Sequence, residues 1–305
     1  MASTRDIRRR IKGVKSTGKI TRAMEMISAV KMRKAIALAF SMRPYAASAL
    51  ELLRQLNVAV DANEHPLLKE RPIKKELYVV IASNRGLCGA FNAQIAKRLL
   101  SALREDRERE HCFIVIGKKA ETMARRFGWE IIAAFPDVLS LPKVEGTRPI
   151  AKIIIDEFES GRVDRVVMVY TDYISVMTQM VKVRALLPVA LKDTKKALNE
   201  MENEVSDAKE KPISVNFQSS EYLIEPSPKK VLWRMIPRLI EMELYHAILE
   251  SNASQESARM LAMQSATNSA KEMVSDLTLA YNQLRQSKVT QEIAELSAGM
   301  AVAGG

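Results

Sequence analysis

The chain has 305 residues, enough for one large or two ordinary domains, and is rich in aliphatic side chains but only 5% aromatic. Its net charge of +11 is uneven: residues 1–34 hold eleven Lys/Arg against two Asp/Glu, so basicity is a local feature, open to nucleic acid, anionic lipid or an acidic protein surface. No run of about 18 apolar residues exists to span a membrane, and the N-terminus lacks the apolar core of a signal peptide.

Cys88 and Cys112 have no CxxC spacing and support neither a zinc site nor a disulfide framework. These features together point to a soluble, cytoplasmic protein.

The first section, residues 1–58, opens with Ser3-Thr-Arg-Asp6, a capping box in which Ser3 and Asp6 satisfy each other's free N–H groups. Apolar residues then recur at Ile7, Ile11, Val14, Ile20, Met24, Ile27, Leu38 and Met42, three or four apart for the most part, which indicates a helix. Gly13 and Gly18 weaken it by about 1 kcal/mol each relative to Ala, and Pro44 is expected to kink it.

The stretch ITRAMEMISAVKMRK (20–34) is unusual in being apolar most of the way round while also carrying Arg22, Lys31, Arg33 and Lys34.

The middle section, 76–225, changes period. Short β-branched runs at 76–83, 112–117, 130–135 and 163–170 alternate with helical stretches at 93–105, 120–127 and 148–158. Such alternation indicates an α/β layer around a mostly parallel sheet. Residues 189–216, rich in Lys and Glu, read as a long exposed loop.

The last section, 226–305, contains 61 consecutive residues, 238–298, without Gly or Pro. As a helix this stretch would be roughly 90 Å long. Ser227-Pro228 supplies an N-cap and first helical position, and Pro237 is a second expected kink. Met260, Met263, Thr267, Ala270, Val274, Leu277, Tyr281 and Leu284 alternate strictly by three and four, the signature of a coiled-coil seam.

The expected fold is therefore α/β plus long helices: an antiparallel coiled coil of the N- and C-terminal helices with an inserted Rossmann-like α/β domain. The C-terminal helix should outrun its partner.

Catalytic chemistry is hard to assemble from these residues. Gly13-Val-Lys-Ser-Thr-Gly-Lys19 nearly spells a phosphate loop, but Ile20 stands where a magnesium-binding Ser or Thr is required, and no strand precedes it. Asn84–Asn92 (NRGLCGAFN) lies between a strand and a helix, where backbone amides can meet an anion. It lacks the GxGxxG spacing, and reads more simply as a tight turn needing two glycines.

His65, His111 and His246 are scattered without metal-ligand spacing. No catalytic, cofactor-binding or metal-binding residues are assigned. The basic N-terminus lacks the interleaved aromatics of a single-strand binder. A basic coiled-coil nucleic-acid-binding protein is the alternative reading, and an independent α/β phosphate-ester enzyme a third.

Four segments carry a family resemblance: ITRAMEMISAVKMRKA, SNRGLCGAFN, ESNASQESARMLAMQSAT and YNQLRQSKVTQEIAELSAG. In order and spacing they resemble the gamma subunit of F-type ATP synthase, over essentially the whole chain. The resemblance implies a non-catalytic central rotary shaft, coupling ion flow through the membrane ring to ATP synthesis or hydrolysis.

The implied partners are the alpha and beta subunits, the epsilon subunit and the membrane c-ring, with no cofactor, no nucleic acid and no direct membrane insertion. The implied location is peripheral, on the cytoplasmic face of the cell membrane.

By the same resemblance, Met24 matches a position facing an acidic loop of beta; as plain structure it is equally a seam residue. Arg259, Gln286, Thr290 and Glu292 resemble a set engaging a catalytic subunit, against the plain reading of a solvated helix face. Tyr222 and Glu225 match a segment near the foot of the shaft. Gln255 replaces the family's common Glu and Met300 its usual Ala, and the redox insert of the plastid form is absent.

Overall fold

The structure is a computed structural model that describes residues 3–59, 65–105, 108–139, 143–189 and 225–303. They form two compact units, one of residues 1–30 with 259–305, the other of residues 31–258. Tyr222 and residues 190–216 of the expected loop lie outside the described residues.

Helix α1 runs Thr4–Ala59, passing through Pro44 as one uninterrupted helix. Its start is the expected capping box: Ser3 N–H donates to Asp6 Oδ2 and Asp6 N–H to Ser3 Oγ, both at 3.4 Å.

A 3-10 turn (Pro66–Leu68) leads into strand β1 (Lys75–Ile81), then α2 (Phe91–Glu105), β2 (Glu110–Ile116), α3 (Lys118–Phe127), β3 (Glu130–Phe135) and α4 (Val144–Glu159). Strands β4 (Arg165–Tyr173) and β5 (Gln179–Leu187) follow, and α5 (Pro228–Ala303) completes the described chain. Ser227 caps α5 as expected, its Oγ accepting from Lys230 N–H at 3.4 Å, and the helix continues through Pro237.

The sheet order is β3-β2-β1-β4-β5, with β1 to β4 mutually parallel and β5 antiparallel to β4. Because β1, β2 and β4 are covered on both faces, they read as continuous apolar runs.

One face packs Tyr78, Val80, Phe113, Val115, Val167 and Val169 against α2 (Phe91, Ile95, Leu99) and α3 (Ala120, Ala124). The other packs Val79, Ile81, Ile114, Ile116, Val166 and Met168 against α4 (Ile150, Ile154, Phe158) and α5 (Ile236, Ile240, Leu244, Ile248). Right-handed crossovers explain the division: winding from β1 through β3 puts α2 and α3 on one side, and reversing direction to reach β4 puts α4 on the other.

Strand β5 was not among the expected runs. Lys182 and Arg184 interrupt its apolar pattern, and their charges are neutralised by neighbours the sequence does not place: Lys182 Nζ lies 2.5 Å from Asp172 of β4, and Arg184 3.2 Å from Glu243 of α5.

In the other unit α1 and α5 pair antiparallel. Thr21 Oγ1 and Thr267 Oγ1 are 2.8 Å apart, and a Cβ added to Gly18 would lie 3.3 Å from that of Ala270. Extending the three-four alternation from these contacts pairs Val14 with Val274, Ile11 with Leu277, Ile7 with Tyr281 and Thr4 with Leu284. In the other direction it pairs Glu25 with Met263 and Ser28 with Met260. None of these seam residues is exposed.

The α5 seam is the expected one. The α1 seam was not specified by the sequence: of the apolar residues that mark the helix, Ile20 and Ile27 stay out of it, at 59% and 56% exposure. A six-residue step from Val14 to Ile20 carries a side chain about 120° off the row on a straight helix. Phase set by Ile7, Ile11 and Val14 therefore puts Gly18, Thr21, Glu25 and Ser28 in the seam.

Candidate functional site

Along the inner half of α1 in the coil the usual order of burial is inverted. Thr21, Glu25 and Ser28 occupy the seam, while Ile20, Met26, Ile27 and Val30 on α1, with Met273 and Leu279 on α5, are more than half exposed. Apolar side chains in such a row lose about 1.5–3 kcal/mol each by staying in water rather than being buried. Exposed apolar side chains gathered on one stretch of α1 mark a surface that something else covers.

Directly beside the α1 seam runs a second row, Arg5, Arg8, Lys12, Lys15, Lys19 and Arg22, again spaced by three and four and all exposed. Among the described residues only Arg22 of these six has an acidic partner, Glu25 at 2.6 Å. Residues 3–30 carry eight Lys/Arg against two Asp/Glu, whereas 259–303 on α5 carry four of each. The coil is thus strongly cationic on one helix and neutral on the other.

The near-phosphate-loop Gly13–Lys19 is helix throughout, so its amides point along α1 into helical hydrogen bonds and cannot cradle a phosphate.

The turn after β1 is held by its own side chains. Asn92 Oδ1 accepts from Ser83 N–H at 3.1 Å, Ser83 Oγ donates to Arg85 O at 2.8 Å, and Asn84 Oδ1 accepts from Lys118 N–H at 3.1 Å. Of its two glycines, Gly89 is left-handed (φ +57), while the second left-handed residue is Leu87 (φ +62). The expectation of two glycine-requiring positions is corrected to one.

Several ionisable groups of the α/β unit are paired or shifted by burial. Glu76, fully buried, accepts from Tyr78 Oη at 3.0 Å and from Arg109 at 2.9 Å, with Arg165 at 3.4 Å. Burial raises the Glu243 carboxyl above its ordinary range, against the opposing pull of Arg184. The Cys112 thiol is pushed up to about 11 by burial; both cysteines are buried and free.

The residues singled out by resemblance do not form one cluster. Met24 is half-buried on α1 beside seam residue Glu25, and Arg259 is buried on α5. Gln286, Thr290 and Glu292 are exposed on α5 beyond the last paired layer. Gln286 and Thr290 share a face one turn apart, with Glu292 about 120° round from Gln286, and Arg259 lies about 40 Å along the helix from Gln286. Glu225 is exposed just before α5 begins.

The sequence showed that 20–34 is apolar most of the way round but not which of its apolar residues face outward; the structure turns Ile20, Ile27 and Val30 to the outside. Continuity of the heptad from Ile7 was the available signal.

Fold and surface together define a class: a doubly wound α/β unit whose chain is bracketed by two long helices, which pair antiparallel in a second unit with apolar and cationic rows turned outward. A family model described as ATP synthase matches residues 3–302. The ATP synthase gamma chain of Moorella thermoacetica is 38% identical over 299 residues, covering 98% of both chains, and that of Chlorobaculum tepidum 37% over 305 residues, again 98% of both.

The rotor of the Euglena gracilis mitochondrial ATP synthase in rotational state 1 shares the fold, with a TM-score of 0.61 at 20% identity, over 94% of this chain and 98% of that one. The chain belongs to the ATP synthase gamma-chain family. It is a component of a membrane-associated complex, and no helix among the described residues is long and apolar enough to cross a membrane.

Proposed function

We propose that the chain is the central shaft of an F-type ATP synthase, turning inside a head of alpha and beta subunits and standing on the epsilon subunit and the membrane c-ring. It supplies no catalytic residues of its own, and it sits at the cytoplasmic face of the membrane. By this reading residues 1–58 and 226–305 supply the long helices of the shaft, and 76–225 its α/β domain.

The observation that carries this reading is the inverted coil. A rod in water would bury Ile20, Ile27 and Val30; a rod inside a ring presents them to the ring. Its cationic α1 row fits an acidic surface on that ring, and neutral α5 offers a different face. Each surrounding catalytic subunit meets a different side of the shaft, and only such differential contact can bias conformations as the shaft turns. Met24, Arg259, Gln286, Thr290 and Glu292 are proposed contacts with the head, and Tyr222 and Glu225 contacts at the foot.

Reconstitution tests the proposal. Mixed with alpha and beta subunits under conditions proven with an authentic gamma chain, this chain should restore ATPase activity; failure to do so overturns the reading. In the assembled complex Met24→Lys should reduce ion pumping more than ATP hydrolysis, and equal losses in both would remove Met24 from the contact set.

A further inference from the structure

The coil's seam divides into two halves of opposite character. The outer half, nearest Thr4, is apolar: Ile7, Ile11 and Val14 against Tyr281, Leu277 and Val274. The inner half is Gly18, Thr21, Glu25 and Ser28 against Ala270, Thr267, Met263 and Met260. Two of its polar members are deeply covered, Ser28 at 2% exposure and Thr267 at 5%, and Thr21 and Glu25 are half-buried.

That polar half is short of protons and partners. Thr21 Oγ1 lies 3.1 Å from Gly18 O and Thr267 Oγ1 2.7 Å from Met263 O, while the two hydroxyl oxygens are 2.8 Å from each other. Two hydroxyl protons are available for three contacts, so any bond across the seam forfeits one within a helix. One turn away, Glu25 Oε1 is bonded to Arg22, but Oε2 is buried with no hydrogen-bond partner. A buried carboxylate oxygen in that state disfavours the closed coil. Gly18 adds the backbone freedom of a glycine inside a helix.

From this geometry we infer that the layers Gly18/Ala270 to Ser28/Met260 are a built-in weak segment, where the two helices part locally before the coil's apolar outer half does. Its core is the competition at Thr21/Thr267 together with unsatisfied Glu25. The inference rests on the coil alone and holds or fails independently of the shaft reading.

A uniformly packed coil frays from its end, so protection should rise steadily from Thr4/Leu284 inward. The weak segment reverses that order.

Hydrogen exchange of the full chain, followed by mass spectrometry of peptides, distinguishes the two. Peptides covering 18–28 and 260–270 should exchange about tenfold faster than those covering 7–14 and 274–281. Protection that instead rises monotonically towards 28/260 overturns the inference in the unmodified protein. Combining Thr21→Val, Thr267→Val and Glu25→Leu should slow exchange of the inner segment about tenfold and leave 7–14 unchanged. Unchanged exchange in the inner segment of that variant also overturns it.

Discussion

Ile114 of β2 and Ile27 of α1 are the same side chain in opposite settings: the first has no exposure, the second 56%. Around Ile114 the ordinary rules hold. Apolar residues of five strands and the helices on both faces bury one another, and a buried acid such as Glu76 is met by Arg109, Arg165 and Tyr78. Around Ile27 they are reversed, with hydroxyls and a carboxylate in the seam and isoleucines in solvent. Burial is settled inside the chain for the α/β unit. For the coil it is settled by the phase of α1, which leaves Ile20 and Ile27 outside the seam although apolar periodicity includes them.

Four changes test that contrast, beginning with the largest effect. Gly117 has φ +96, and a Cβ there would lie 2.0 Å from Ala82 O, where the ends of β1 and β2 approach. Gly117→Ala should destabilise the α/β unit by about 4 kcal/mol or more, seen as loss of its cooperative thermal transition. A variant that melts like the parent would show the sheet's end to be as forgiving as the coil.

Ile114→Ala removes a fully buried side chain from the centre of the sheet and should lower the unfolding free energy by about 3 kcal/mol in urea titration.

His65 gives a smaller, pH-dependent effect. Its Nδ1 accepts from Leu67 N–H at 3.2 Å, its ring lies 4.5 Å from that of Trp233, and its buried Nε2 has no partner. Burial lowers its pKa below the ordinary histidine value of 6.5. The folded protein therefore binds the proton less readily than the unfolded chain. The stability tied to neutral His65 is complete above pH 6.5 and is lost as pH falls through the lowered folded value. His65→Asn should flatten the dependence of urea stability on pH below about 6.5, where the parent loses stability as pH falls.

Ile27→Ala completes the series. In the isolated chain it should change stability by less than about 0.5 kcal/mol. A loss approaching that of Ile114→Ala would mean Ile27 is buried within the chain, and the inverted coil would fall.

Much of the molecule was legible in advance, because the signals were local. The Ser3/Asp6 and Ser227/Pro228 helix starts, the four parallel strands and the α5 seam from Met260 to Leu284 follow from caps, β-branched runs and period alone. Strand β5 was not, since Lys182 and Arg184 look like surface residues until Asp172 and Glu243 are beside them. Leu87 was equally hidden, because nothing in its neighbours' identities announces a left-handed backbone on a non-glycine residue. Met24, Arg259 and Gln286 are proposed as contacts from sequence motifs alone, whereas the outward placing of Ile20, Ile27 and Val30 emerged only from the coil's phase.

The sequence by itself determined every described strand and helix but β5, the α/β class and the family. Each of these depends on periodicity and motif, which short windows of residues express. Tertiary structure alone decided which face of α1 meets α5. A straight helix carries its phase rigidly from Ile7, Ile11 and Val14 into a stretch whose own composition favours the opposite side. The hydrophobic gain available to Ile20 and Ile27 is overruled by the geometry of the turns before them, and the helix keeps an apolar face turned outward.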